Sequence, residues 1–355
     1  MSKRRTYSGL LALGATAALL AGCSADGSAT DASAADAHVT GPLADLYAAA
    51  KKEGKVTVYE NASPDAVAAL AEGFEKMYPG IKVEAVRLPD AQMIPRLETE
   101  LSSGAPTADF IENASPGWLI AQGAKGAWVA SDAPQAGGKG SYDAAKYFDA
   151  KNKVYEVGGS VTTFAWNTEL VPDGIKDYPD LADPKFGGGK VGVLELASAP
   201  GAVYYNWLEK TFGTTFYDTL GAQKPRIYPS TTDIVQALGS GEIYATNWVV
   251  PTLLEQAKAD GAPVAYAMSP TGTFGLHGYG VINAKAKNPN AAKLYLEYVL
   301  SPEGQAQIWA LGASVVSPPP EGVLTTNDKL PPWDPAQETT QKLEAARASW
   351  DAAYR

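Results

Sequence analysis

Residues 55–115 read KVTVYENASPDAVAALAEGFEKMYPGIKVEAVRLPDAQMIPRLETELSSGAPTADFIENAS. The opening KVTVY is a β-branched and aromatic run. The segment after Pro64 carries Val67, Leu70, Phe74 and Met77 at helical spacing and stops at Pro79-Gly80. IKVEAVRL alternates as a strand, QMIPRLETELSSG is helical in its later part, and ADFI is a short buried strand. Strand, helix, strand, helix, strand in one short stretch predicts a parallel α/β sheet. The pentapeptide ENASP closes the first strand at Glu60 to Pro64 and the third at Glu112 to Pro116. In such sheets ligands sit beyond the carboxyl ends of strands. Glu60, Asn61, Glu112 and Asn113 are therefore candidate cleft residues. Ser63 before Pro64 equally fits a helix N-cap followed by proline at the first helical position, and a capped N-terminus can itself receive an anion.

On the amino-terminal side, DLYAAAKKEG has helical spacing and ends at Gly54. Before it, Lys3, Arg4 and Arg5 precede an apolar run from Leu10 to Leu20 that is short for a membrane span. That run ends in Leu20-Ala21-Gly22-Cys23, which resembles the lipobox of bacterial lipoproteins. The resemblance implies a signal peptide over 1–22 and lipid attachment at Cys23, hence an extracytoplasmic protein anchored to a membrane. An ordinary signal peptide with a chance cysteine is the other reading. Residues 23–40 are mostly Ala, Ser, Asp, Gly and Thr and read as a disordered tether. Cys23 is the chain's one cysteine, so neither a disulfide within the chain nor a cysteine zinc site is expected.

Without the signal segment and its three cations, the chain has 26 basic against 39 acidic residues. No basic stripe exists to neutralise phosphates, which argues against nucleic acid. Catalytic motifs are also missing. The sequence has two histidines, no G-x-S-x-G elbow, no Walker loop and no zinc-protease helix. Paired carboxylates of a hydrolase stay open in so acidic a chain.

Beyond residue 115, strand and helix signals keep alternating through KVGVLELAS, GAVYYNWLEKTFG, TTDIVQALGSGE, IYATNWVV, TLLEQAKADG and PVAYAMSP to HGYGVINAKA. NPNAAKLYLEYVL, SPEGQAQIWALG and ETTQKLEAARASWDAAY then read as helices, the second opening on Ser301 as N-cap. By the strand-end logic Ser198, Thr231, Asn247, Trp248, His277 and Tyr279 join the candidate contacts. Each is also an ordinary cap, turn or core residue.

Three segments carry a family likeness. NPNAAKLYLEYVLSPEGQ at 288–305, the run at 55–84 and ALGSGEIYATNWVVPTLLEQAKADGAPVAYAMSPTGT at 237–273 resemble, in a consistent order, extracellular solute-binding proteins of bacterial ABC importers. The subgroup holding ferric-ion, thiamine and aminoethylphosphonate binders is the most similar. The resemblance implies a type II periplasmic-binding-protein fold. Its two α/β lobes, each a mixed, mainly parallel sheet flanked by helices, would enclose a cleft and close about a hinge. Lobe one is expected at 41–112 and 264–312, and lobe two at 113–263 and 313–355. It further implies a monomer without cofactor that hands a small solute to a permease and does no chemistry. Where ferric binders place a histidine, a glutamate and a tyrosine pair, this chain offers Ser63, Ala114 and Trp248-Val249. A charged or zwitterionic organic solute is therefore expected, with a ferric ion as the alternative and no structural metal site.

Overall fold

The computed structural model describes residues 39–105, 107–197, 199–334 and 340–355. The chain is packed from the start of that range, since Val39 is buried against the first core. Helix α1 (Pro42–Glu53) begins with proline and ends where Gly54 takes a left-handed conformation, its N–H reaching the Ala50 carbonyl. There follow β1 (Lys55–Glu60), α2 (Pro64–Met77), β2 (Lys82–Arg87), α3 (Asp90–Ser103) and β3 (Phe110–Asn113). Only α3 departs from the sequence expectation. It starts at Asp90, ahead of Pro95, which lies inside the helix.

Short elements α4 (Pro116–Gly123), β4 (Trp128–Val129), α5 (Ala144–Tyr147) and β5 (Phe148–Asp149) lead into the long strand β6 (Val154–Asn167). Next come β7 (Val191–Leu194), α6 (Ala199–Phe212), α7 (Thr214–Ala222), β8 (Arg226–Tyr228), α8 (Thr231–Gly239), β9 (Ala245–Val249), α9 (Pro251–Ala259) and β10 (Val264–Ala267). The chain returns through β11 (Phe274–Asn283), α10 (Pro289–Val299), α11 (Pro302–Ile308), β12 (Ala313–Ser314) and β13 (Thr325–Thr326), and ends in α12 (Thr340–Tyr354).

The main strand order is β2-β1-β3-β11-β6-β9-β7-β8. Parallel pairs lie toward both ends, β1 with β2 and β3, and β7 with β8 and β9. Antiparallel β11 and β6 join them. Burial divides accordingly. Tyr59, Ile111, Leu119 and Trp128 pack together, beside a neighbouring cluster of Val58, Phe74, Phe110, Tyr155, Tyr295 and Trp309. Phe164, Val193, Tyr204, Leu238, Trp248, Val264, Phe274 and Trp350 form a second large core. The first half of β6 thus belongs to one core and its second half to the other, and β11 does the same in reverse. These packing partners put the change of core inside the two long strands, beyond the boundaries at 113 and 264 expected from the family likeness.

The crossing is built from glycine. Gly158 and Gly159 in β6 face Gly278 and His277 in β11, and the register shifts between Gly278 and Tyr279. Gly158 has φ of 125°, a conformation that side chains rarely tolerate. The Trp309 indole lies against both strands there and donates to the Val157 carbonyl.

Candidate functional site

The two ENASP turns are neighbours. In the parallel pair β1–β3, Val58 lies beside Phe110 and Tyr59 beside Ile111, so Glu60 and Glu112 come next in the same register. Asn61 N donates to Glu112 Oε2 at 3.2 Å. Asp90, the first residue of α3, ties the turns further. Its Oδ1 accepts from Asn61 Nδ2 at 2.7 Å, and its Oδ2 accepts from Ala114 N at 3.1 Å and Ser115 Oγ at 2.6 Å.

The same five residues nevertheless make different turns. Ser63 caps α2 by accepting from Ala66 N. Ser115 makes no such bond to α4. Its N–H instead goes to the Asn113 side chain.

Glu60 and Glu112 are both completely buried. Tyr295 on α10 donates its hydroxyl to Glu60 Oε1 at 3.1 Å. With both carboxyls ionised, Glu60 Oε2 and Glu112 Oε1 have no partner among the described residues. Desolvation holds the pKa of each above the ordinary carboxylate range. The Tyr295 hydrogen bond partly opposes this at Glu60, and the negative charge of Glu60 reinforces it at Glu112.

Above this pair opens a cavity of about 570 Å³. Asn61, Ser63, Asp65 and Glu112 line it on the side of the first core, and Val250 and Thr252 at the start of α9 line it on the other. Ser160, His277 and Gly278 come from the crossing strands, and Gln307 and Trp309 from α11 and the residue after it. Among the described residues no lysine, arginine or tyrosine is in this lining. The N-termini of α2 and α9 both open on the cavity, and a helix start favours negative charge.

His277 is already committed. Its Nδ1 lies 2.8 Å from Glu156 Oε1 and its Nε2 lies 2.8 Å from the Pro331 carbonyl. Carboxylate and carbonyl are acceptors, so these contacts suit a charged ring that donates from both nitrogens. Burial works against that charge. The Glu156 carboxylate and the Pro331 carbonyl outweigh it, and the pKa is raised. The Asn327 side chain also donates to Glu156, at 2.7 Å.

Of the residues singled out by sequence, Asn61, Ser63, Glu112 and His277 thus reach one cavity, with Glu60 and Asn113 buried alongside. Asn247, Trp248 and Thr231 meet elsewhere, in and beside the second core. Trp248 Nε1 donates to Thr231 Oγ1 at 2.9 Å, its ring stands edge-on to Tyr204, and Tyr204 donates to the Asn247 carbonyl. Tyr279, past the register shift, lines a separate hollow of about 250 Å³ with Glu156 and Trp333. Ser198 and Cys23 lie outside the described residues. Sequence reading passed over Asp65, Asp90, Glu156 and Trp309. Asp65 carried a local signal as the acid in the first turn of a capped helix. The other three act through contacts distant in sequence.

Comparison with known proteins agrees with this architecture. Solved structures similar to the chain include the substrate-binding protein of an ABC transporter from Agrobacterium tumefaciens, at 18% identity and TM-score 0.65 over 86% of this chain and 97% of that one. Iron-bound HitA from Pseudomonas aeruginosa matches at 16% identity and TM-score 0.62, over 84% and 99%. AfuA from Actinobacillus pleuropneumoniae, with fructose-6-phosphate bound, matches at 22% identity and TM-score 0.60, over 85% and 98%. The shared fold is the two-lobe type II periplasmic-binding-protein fold. No curated protein matches the sequence. A family model described as bacterial extracellular solute-binding protein matches residues 69–339, and the chain belongs to that family.

Proposed function

We propose that this solute-binding protein captures a small organic solute with a cationic group and delivers it to an ABC import permease, without chemistry of its own. One observation carries the ligand class. Glu112 lines the cavity and has an unpartnered oxygen, Asp65 lines the same space, and among the described residues no lysine or arginine does. The helix N-termini of α2 and α9 suit a carboxylate or phosphonate on the same molecule, so a zwitterion satisfies both ends. A ferric site built on phenolates is disfavoured by a lining without tyrosine. The two packing cores support two lobes that close over the solute by bending where β6 and β11 cross.

A thermal-shift screen with choline, thiamine, spermidine, aminoethylphosphonate, glucose and ferric citrate tests the reading. A cation or zwitterion at a hundred times its Kd should add about 2.7 kcal/mol of stability and reduce the radius of gyration in solution scattering. Stabilisation by ferric citrate alone, or by glucose alone, rejects it.

Cys23 is proposed as the lipid attachment site. One acyl chain anchors only marginally, so the mature protein is expected to carry more than one. Cys23→Ala should move the protein from the membrane fraction to the medium or leave its precursor uncleaved. A variant processed and membrane-bound like the parent rules the anchor out.

A further inference from the structure

The floor of the cavity holds two carboxyls where a single counter-charge would suffice. Glu60 and Glu112 follow each other in register on adjacent strands and are both excluded from solvent. Like charges so placed repel strongly. The groups facing them supply little compensation. Tyr295 from α10 donates one hydroxyl to Glu60, and the Asn61 N–H donates to Glu112. Asp90 from α3 adds negative charge, Asp65 from α2 lines the same cavity, and the charge on His277 from β11 is balanced by Glu156. Among the described residues no lysine or arginine lines the space above. A proton between the two carboxyls relieves the repulsion and supplies a partner for an orphan oxygen. The seat above them is also defined. A Cβ built on Gly278 would lie 2.6 Å from Trp309 Cζ2 and 2.8 Å from Glu112 Oε1, so indole and carboxyl meet over the bare backbone of that glycine.

We propose that Glu60 and Glu112 share one proton in the empty protein, and that an organic cation entering the cavity expels it. The cationic group takes Glu112 Oε1 with the Trp309 ring beside it. The pair passes from one negative charge to two, and the proton leaves to solvent. This rests on the cationic-solute reading above and adds a linkage: capture strengthens as pH rises, because the empty protein holds one proton more than the complex.

Two measurements test it. Infrared difference spectra of the empty protein at pH 7, wild type minus Glu112→Gln, should show the carbonyl stretch of one protonated carboxyl. Its absence overturns the shared proton. Calorimetric titrations with choline, thiamine and spermidine at pH 6 and pH 7 should then show affinity rising about tenfold for the cation that binds. Buffers of different ionisation enthalpy should report close to one proton released, and the infrared band should vanish in the complex. Glu60→Gln should flatten the pH dependence of binding, which a merely structural Glu60 would not do. Binding of equal strength at both pH values, without proton release, overturns the expulsion and leaves the cationic reading standing. Failure of all three cations to bind even at pH 8 overturns both.

Discussion

Glu112→Gln is expected to abolish cation capture and, at the same time, to raise the melting temperature of the empty protein by several degrees at pH 7. Glutamine can keep the hydrogen bond from Asn61 N through its carbonyl oxygen while its amide donates toward Glu60. It does permanently what the shared proton does. The gain lies in the unfolded state. There both glutamates ionise at their ordinary values, whereas the folded wild type must keep one of them neutral because burial raises its pKa. The folded state therefore binds more protons than the unfolded state over the interval between those pKa values, and wild-type stability falls as pH rises through it. Above the ordinary glutamate range this costs up to about 1.36 kcal/mol for each pH unit. The variant removes one of the two groups that carry such a cost, although buried Glu60 keeps its own desolvation, and the difference should disappear near pH 4. Melting curves at pH 4, 5.5 and 7 decide the matter. A variant less stable than wild type at pH 7 would show that Glu112 is held as a well-paired carboxylate.

Both ENASP turns border one cavity, and the sequence showed only part of that. Strand ends, helix starts and the Ser63 cap follow from local patterns, and the structure places them there. Nothing local fixes the register of parallel strands, however. That Glu60 faces Glu112 depends on β1 and β3 being adjacent, with the whole of α2, β2 and α3 between them in sequence. Asp90 bridges the turns from the start of α3, a helix whose opening was obscured by Pro95. Trp248 was a candidate contact by its place near a strand end, but its indole is buried against Tyr204 and bonded to Thr231. Trp309 gave no such hint. It follows an ordinary capped helix and reaches the site only because the glycines of β6 and β11 leave room for its ring.

Gly158→Ala should cost this protein a large part of its stability, about 2–6 kcal/mol, through two separable effects. The first is backbone strain, since φ of 125° is all but closed to a residue with a Cβ, at about 1–3 kcal/mol. The second is a collision. The new methyl carbon would lie 2.0 Å from Trp309 Nε1 and 2.2 Å from its Cδ1, and overpacking of that kind adds about 1–3 kcal/mol. The ring cannot simply swing away. Its N–H donates to the Val157 carbonyl, and Gly278 of the opposite strand confines its other edge. A double-mutant cycle with Trp309→Ala separates the two effects, because removing the ring relieves the collision and leaves the strain. The double variant should therefore be less damaged than the two single losses added together. Because Trp309 also stands beside the cation seat, Trp309→Ala alone should weaken cation capture, whereas Gly158→Ala acts through the crossing that both lobes share. A Gly158→Ala protein that melts within 2 °C of wild type, a margin far smaller than the destabilisation argued here, would mean that β6 can relax at this point, and the glycine crossing would then be no constraint on how the strands and the indole fit together.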